Sequence, residues 1–215
     1  MLKTKKFERG DTLIEVLFAV TVFSLVAIGA ISIMNQGTAA AQRSLEITLV
    51  RQQIDAQAET LRFLNASYVS AYSNGVTFAA DTPAGQWQQI RNYILSRGNS
   101  DVSAFGTDGG VCKSTPPEGS FIMNTSGAKL EKLDGDKYKP AVTYSQVRYV
   151  DTGSTKSLAD AEGIWIEGVV SKTFAGDNQG NAGYVDFHIR ACWDSPGLAV
   201  PMTIGTIVRL YEPRG

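Results

Sequence analysis

Histidine is almost missing from this chain: a single residue, His188, in 215. No Cys/His cluster or nucleophile motif accompanies it, so metal-ligand and imidazole-based catalysis have no constellation to build on. There is no Walker loop and no G-x-G-x-x-G, which removes the common nucleotide-binding signatures. An enzyme is not expected, and no cofactor. A large excess of positive charge is missing too. The formal net charge is −1 and the pI about 5.9, so direct nucleic-acid binding is not expected. Asp134-Gly135-Asp136 and Asp177-Asn178 lack the ligand spacing of an EF-hand and read as turns. Cysteine stops at two, Cys112 and Cys192.

The charge that is present is unevenly placed. Residues 1–10 carry Lys3, Lys5, Lys6 and Arg9 against Glu8 alone, and after Glu15 no charge follows until Arg43. Thr12 to Met34 is a 23-residue apolar run. As a helix it would rise about 35 Å, enough for the ~30 Å hydrocarbon core of a bilayer. The basic flank lies on its N-terminal side, so the positive-inside rule leaves residues 1–10 cytoplasmic and the rest of the chain outside. There a Cys112–Cys192 disulfide is chemically permitted and expected.

Glu15 is the anomaly, a carboxylate inside the first turn of that run. Thr12-Leu13-Ile14-Glu15 fits a capping box, in which Glu15 reaches back to the Thr12 N–H. A secretory signal is a second reading, with Ala39-Ala40-Ala41 as an A-x-A-like cleavage site, but 23 apolar residues exceed an ordinary signal core of ~7–15. An uncleaved anchor is a third. All three leave unexplained an acid that costs on the order of 3 kcal/mol in lipid without a partner.

A basic leader, Gly10, the polar-tinged stretch "DTLIEV" and then a long apolar helix together resemble the N-terminus of type IV prepilins and the related secretion pseudopilins. The likeness is close over residues 1–34 and architectural beyond about residue 64. It implies cleavage by a prepilin peptidase after Gly10, with Asp11 as the new N-terminus and Glu15 as the fifth mature residue. It also implies that Glu15 pairs with the N-terminal amine of a neighbouring subunit during assembly, a contact strengthened where water is scarce. The family usually has phenylalanine at mature position one, where the amine is methylated. Asp11 departs from that, which puts methylation of Asp11 in doubt and leans toward a minor pilin or pseudopilin. The family's frequent proline in the apolar helix is absent, leaving Gly29 and Gly37 as its only weak points.

Beyond the run, Ile47, Val50, Ile54, Leu61 and Leu64 fall at helical spacing with Gln57 filling the gap. Arg43, Glu46, Arg51, Gln52, Asp55 and Glu59 lie opposite. The stripe is expected to pack on a sheet of its own domain. "PAGQWQQIRNYILSRG" reads as a short helix from Pro83 to Gly98 with Trp87, Ile90 and Ile94 buried. Loops surround it, "GNSDVSAFGTDGG" and "STPPEGS" among them. The segments 141–150, 163–172, 183–193 and 202–211 read as strands, and loop-length connections make neighbouring strands antiparallel. Asn65-Ala66-Ser67 and Asn124-Thr125-Ser126 match the N-glycosylation pattern.

The expected fold class is α+β and pilin-like, a long N-terminal α-helix, half membrane-spanning and half amphipathic, packed on a C-terminal antiparallel sheet. Its parts are a leader (1–10), an assembly helix (11–34), its amphipathic continuation (35–64), a loop-rich region (65–140) and the sheet (141–215). The mature form would keep 16 basic and 20 acidic residues, a net of about −4. The resemblance implies a subunit of a type IV pilus-like filament serving adhesion, motility, DNA uptake or secretion. Its expected partners are other pilin subunits, the prepilin peptidase, the assembly platform and, before assembly, membrane lipid. The alternative is an anchored or secreted extracytoplasmic binding protein that does not polymerise.

Overall fold

The computed structural model describes residues 11–73, 76–97, 102, 112–151, 153, 156–171 and 183–213, with side chains from Leu13 onward. Two compact units divide after Leu45, and helix α1 (Asp11–Ala71) contributes to both. It runs seven residues past the expected end at Leu64, because Tyr68 continues the buried stripe and packs its ring 5.8 Å from Phe78.

In the globular unit, Glu46–Gly215, the stripe on α1 is buried as its spacing requires. Val50, Ile54, Ala58, Leu61 and Leu64 share one core with the sheet. Gln57 is just as buried, and its amide solves the polar problem by bonding twice to one backbone residue. Nε2 donates to the Met123 carbonyl (3.0 Å) and Oε1 accepts from the Met123 N–H (2.8 Å). The one polar residue in the stripe therefore fixes the register between helix and sheet.

Helix α2 (Pro83–Arg97) begins at a Thr82 cap, whose Oγ1 accepts from the Gly85 N–H at 3.1 Å, with Pro83 in the first helical position. Trp87, Ile90 and Ile94 are buried, as their spacing predicts. Ile94 presses so close to Gly168 that a Cβ there would meet its Cδ1 at 2.7 Å. Gly98, the expected stop, lies outside the described residues, as do most of "GNSDVSAFGTDGG" and Asp177-Asn178.

Among the described residues, eight strands form two sheets. They are β1 (Phe121–Asn124), β2 (Lys129–Lys132), β3 (Tyr138–Lys139), β4 (Gln146–Asp151), β5 (Lys156–Glu162), β6 (Ile164–Val170), β7 (Tyr184–Trp193) and β8 (Met202–Tyr211). The larger sheet is antiparallel in the order β2-β1-β6-β7-β8, and the smaller has the order β3-β5-β4 with β3 and β5 parallel. The expected strands 163–172, 183–193 and 202–211 are β6, β7 and β8. On β7, Val185, Phe187, Ile189, Ala191 and Trp193 all face the core.

Two expectations need correcting. The segment 141–150 does not join the same sheet as the other three. Its strand starts at Gln146 and pairs with β5, while Ala141 makes only an isolated bridge to Trp193. Residues 65–140 are not only loops around a short helix, since β1, β2 and β3 lie there. The junction between the sheets is Gly163, at φ +61°, where a Cβ would meet the Cys192 carbonyl oxygen at 2.2 Å. Only glycine fits that turn and that approach, and it lets one run of chain leave the small sheet as β5 and join the large one as β6.

Candidate functional site

Considered by itself, the first part of α1 has no inward face. Leu13, Phe18, Phe23, Val26 and Ile33 point in different directions around the helix and are each 65–73 % exposed. A helix apolar all round belongs inside a membrane or among other apolar helices. The span is long and apolar enough to cross a bilayer, and none of its most apolar window is buried by the rest of the chain. Its hydroxyls suit a dry setting. Thr21 Oγ1 donates to the Phe18 carbonyl (2.8 Å) and Ser24 Oγ to that of Val20 (2.7 Å). Gly29 and Gly37 sit within unbroken helix, where a Cβ would meet nothing within 4 Å.

Glu15 is the polar group left over. No ion pair reaches it among the described residues. Arg43, the next charge along the chain, lies 28 residues on, about 42 Å of helical rise. Asp11 is already helical, so Thr12 lies within the first described turn and is not its N-cap. The capping-box reading of Glu15 therefore loses its cap. Gly10 and the side chain of Asp11, the two residues of the expected scissile bond, lie outside the described residues.

Cys112 and Cys192 form the expected disulfide, with Cα atoms 5.7 Å apart. It closes a separation of 80 residues, worth about 4 kcal/mol on the chain-entropy model, and pins the segment before β1 to the end of β7.

Glu46 was expected on the outward, polar face of α1, but its carboxylate points inward. Its Oε2 accepts from Trp193 Nε1 (3.1 Å) and from Ser195 Oγ (2.7 Å). Helical spacing could not show this, because the donors come from nearly 150 residues away and a tryptophan N–H must be satisfied when its ring is buried. The β7–β8 turn is thereby held to the place where the chain enters the globular unit.

The outer faces of both sheets are held by charge. On the small sheet, Arg148 of β4 grips Asp160 of β5 through two bonds of 2.7 Å, and Lys139 of β3 adds a third at 2.8 Å. Those bonds, Arg148's foremost, hold the buried Asp160 carboxyl down at about 2. Glu212, packed beside Trp87 and Arg91 near the C-terminus, goes the other way. Burial raises its pKa and outweighs the Arg91 guanidinium 3.3 Å away. Burial also pushes the Tyr138 phenol up to about 12.

Other sequence signals have structural roles. His188 lies mid-β7, in register with Glu167 and Ile207 on the neighbouring strands. Asp134 builds a turn, its Oδ1 accepting from the Lys137 N–H at 3.1 Å. Among the described residues no group of three or more His, Cys, Asp or Glu side chains is placed to hold a metal. Both glycosylation-pattern asparagines commit their amide nitrogens to backbone carbonyls. Asn65 donates to Tyr211 (3.1 Å), and the buried Asn124 to Lys156 (2.8 Å).

Comparison with protein-family models, with curated proteins and with solved structures finds no match.

Proposed function

We propose that this chain is a subunit of a type IV pilus-like filament, in the manner of a minor pilin or pseudopilin. It enters the membrane as a precursor, is cut after Gly10 by a prepilin peptidase, and assembles through the apolar part of α1. The observation that carries this reading is one lone carboxylate, Glu15, in a helix segment that is apolar and exposed on every side. An anchor alone has no use for the acid, which lipid penalises. Assembly supplies a use. Cleavage before Asp11 creates a positive amine at the start of each helix, and Glu15 of a neighbouring subunit accepts it in a water-poor bundle. The pair then sets the axial register of one helix against the next.

On this reading residues 1–10 begin in the cytoplasm, the globular unit lies outside, and the assembled subunit ends at the cell surface. Its partners are other pilin subunits and the assembly platform, with membrane lipid before assembly. The Cys112–Cys192 bridge suits that oxidising side of the membrane.

The test is mass spectrometry of the native N-terminal peptide, from membrane and surface-shed fractions. A terminus at Asp11 is expected, and the same spectrum reads the methylation state of its amine. A terminus at Met1 would leave a plain anchored binding protein. One at Gln42 would mean a secreted domain released after Ala41.

A further inference from the structure

Among the described residues the two sheets end in four edge strands, and three of those edges are guarded. β2 has four residues, three of them charged, and its Leu130 N–H donates to Gln86 Oε1 of α2 at 3.3 Å. β3 has only two residues, and β4 is broken by a register shift between Arg148 and Tyr149. β8 is different. It is ten residues long and stays in unbroken register with β7. Its one charge, Arg209, is clamped to Asp186 of its own sheet by two bonds of 2.7 Å.

The open backbone groups of β8 follow from its pairing. The Glu212 N–H donates to the Gly183 carbonyl (2.8 Å), so even-numbered residues of β8 turn their N–H and C=O groups toward β7 and odd-numbered residues turn theirs outward. Thr203, Gly205, Ile207 and Arg209 are all exposed, and among the described residues their outward backbone groups have no partner. Gly205 has no side chain, so its exposure is that of the backbone itself. Both ends of this open stretch are blocked. Pro201 has no N–H, and the Tyr211 carbonyl accepts from Asn65 Nδ2 at 3.1 Å.

We propose that this edge pairs with β8 of a second copy of the chain, antiparallel about a two-fold axis at Thr206. In that register Thr203 faces Arg209 of the second copy and Gly205 faces its Ile207, and the reverse, so all four open residues exchange bonds. The two blocked positions, Pro201 and Tyr211, fall opposite each other outside the ladder. Moving the axis by one residue would set Tyr211 against Thr203, or Pro201 against Arg209, and lose bonds. The side chains suit the same register. Ile207, 61 % exposed, lies beside a glycine and diagonal to Ile207 of the second copy, and no charge faces a like charge. Pairing consumes both edges, so it closes at two copies and joins their five-stranded sheets. It belongs to the globular unit and needs neither cleavage nor a filament.

The test is register-specific cross-linking of the full-length chain, native disulfide intact, in a large excess of detergent micelles so that apolar helices rarely share one. At the axis, Thr206 and Thr206 of the second copy form a non-hydrogen-bonded pair with Cα atoms about 4.5 Å apart, within disulfide reach. Thr203 lies six residues from its own counterpart, about 20 Å at ~3.4 Å per residue. Under mild oxidation Thr206→Cys should give a disulfide-linked dimer and Thr203→Cys should not. Adding Ile207→Lys or Gly205→Pro to Thr206→Cys should cut the dimer more than about tenfold. Both fall at outward positions, so neither removes a bond to β7. In the unsubstituted chain, raising the protein concentration should slow amide exchange at Thr203, Gly205, Ile207 and Arg209 and leave Ile204, Thr206 and Val208 unchanged.

Equal cross-linking at Thr203 and Thr206 would mean random collision and overturn the pairing. So would amide exchange on β8 that does not depend on concentration. Either result would leave the filament reading, which rests on Glu15, as it stands.

Discussion

Residues 13–34 and 46–71 belong to one helix, are both rich in aliphatic side chains, and spend them in opposite ways. In the second stretch the apolar residues keep to one stripe, and the globular unit covers that stripe completely at Val50, Leu61 and Leu64. In the first they occupy every side and the chain covers none of them. The polar residue set into each apolar stretch differs in the same sense. Gln57 finds both its partners within its own chain, on Met123, whereas Glu15 finds none among the described residues. Helix formation is common to both stretches. What separates them is whether the rest of the chain supplies the surroundings.

The largest expected effect is on assembly. On the proposed filament reading, Glu15→Ala should leave expression, insertion and cleavage unchanged and cut the filament-associated fraction more than about a hundredfold, since loss of one partner of such a buried charge pair would cost about 3–5 kcal/mol. Sedimentation of sheared surface filaments against total membrane protein would measure it. Normal assembly of the variant would break the contrast between Glu15 and Gln57.

Next come two identical substitutions, one in each stretch. Leu61→Ala should lower the unfolding free energy of the globular unit by about 3 kcal/mol, because its methyl groups leave a filled core. Leu25→Ala should change it by less than about 0.5 kcal/mol. Denaturant titration of the full chain in micelles reads both, and similar losses would mean that the two stretches are energetically alike.

Two titrations sharpen the picture within the globular unit. Asp160 has its pKa lowered from 3.8 to about 2, so the unfolded chain binds the proton first. Its stabilisation is fully present above the unfolded value and is lost as pH falls from about 3.8 through about 2. Asp160→Asn should cost about 2 kcal/mol at neutral pH, at the low end for a buried carboxylate because Arg148 and Lys139 are half exposed and screened. The variant should also lose that acid limb. Glu212 carries the opposite sign. Its raised folded pKa favours the folded state below the ordinary value of 4.5, and the advantage fades as pH rises through the folded value. Glu212→Gln should shift neutral-pH stability by under about 1 kcal/mol and flatten the profile above 4.5. Stability measured against pH for the two variants side by side checks both signs.

How much of this could be read from residues depended on how local the cause was. The stripe Val50–Leu64, the buried face Trp87, Ile90 and Ile94 of α2 and the strands β6, β7 and β8 are set by neighbours in sequence, and each was legible. β1 was not, because "FIMN" is four residues long and buried throughout, leaving no alternation to see. β5 was not, because "KSLADAE" has the composition of a helix and is held extended by β3 and β4, partners brought in from elsewhere in the chain. Of the candidate site, the lone carboxylate in an apolar run was visible at once. The inward turn of Glu46 was not, since it follows from where β7 ends.

Gly163 has one more consequence. The chain on either side of it is a nearly unbroken line of strand, β5 before and β6 after, so the two sheets share a backbone and cannot part without tearing that line. Arg148 and Lys139 lock β5 into the small sheet while β7 locks β6 into the large one. Opening either sheet therefore pulls on the other through a single residue that has no side chain to cushion the strain. Slow amide protons in the two sheets should exchange with a common free energy, as one cooperative unit, although their hydrogen-bond ladders are separate.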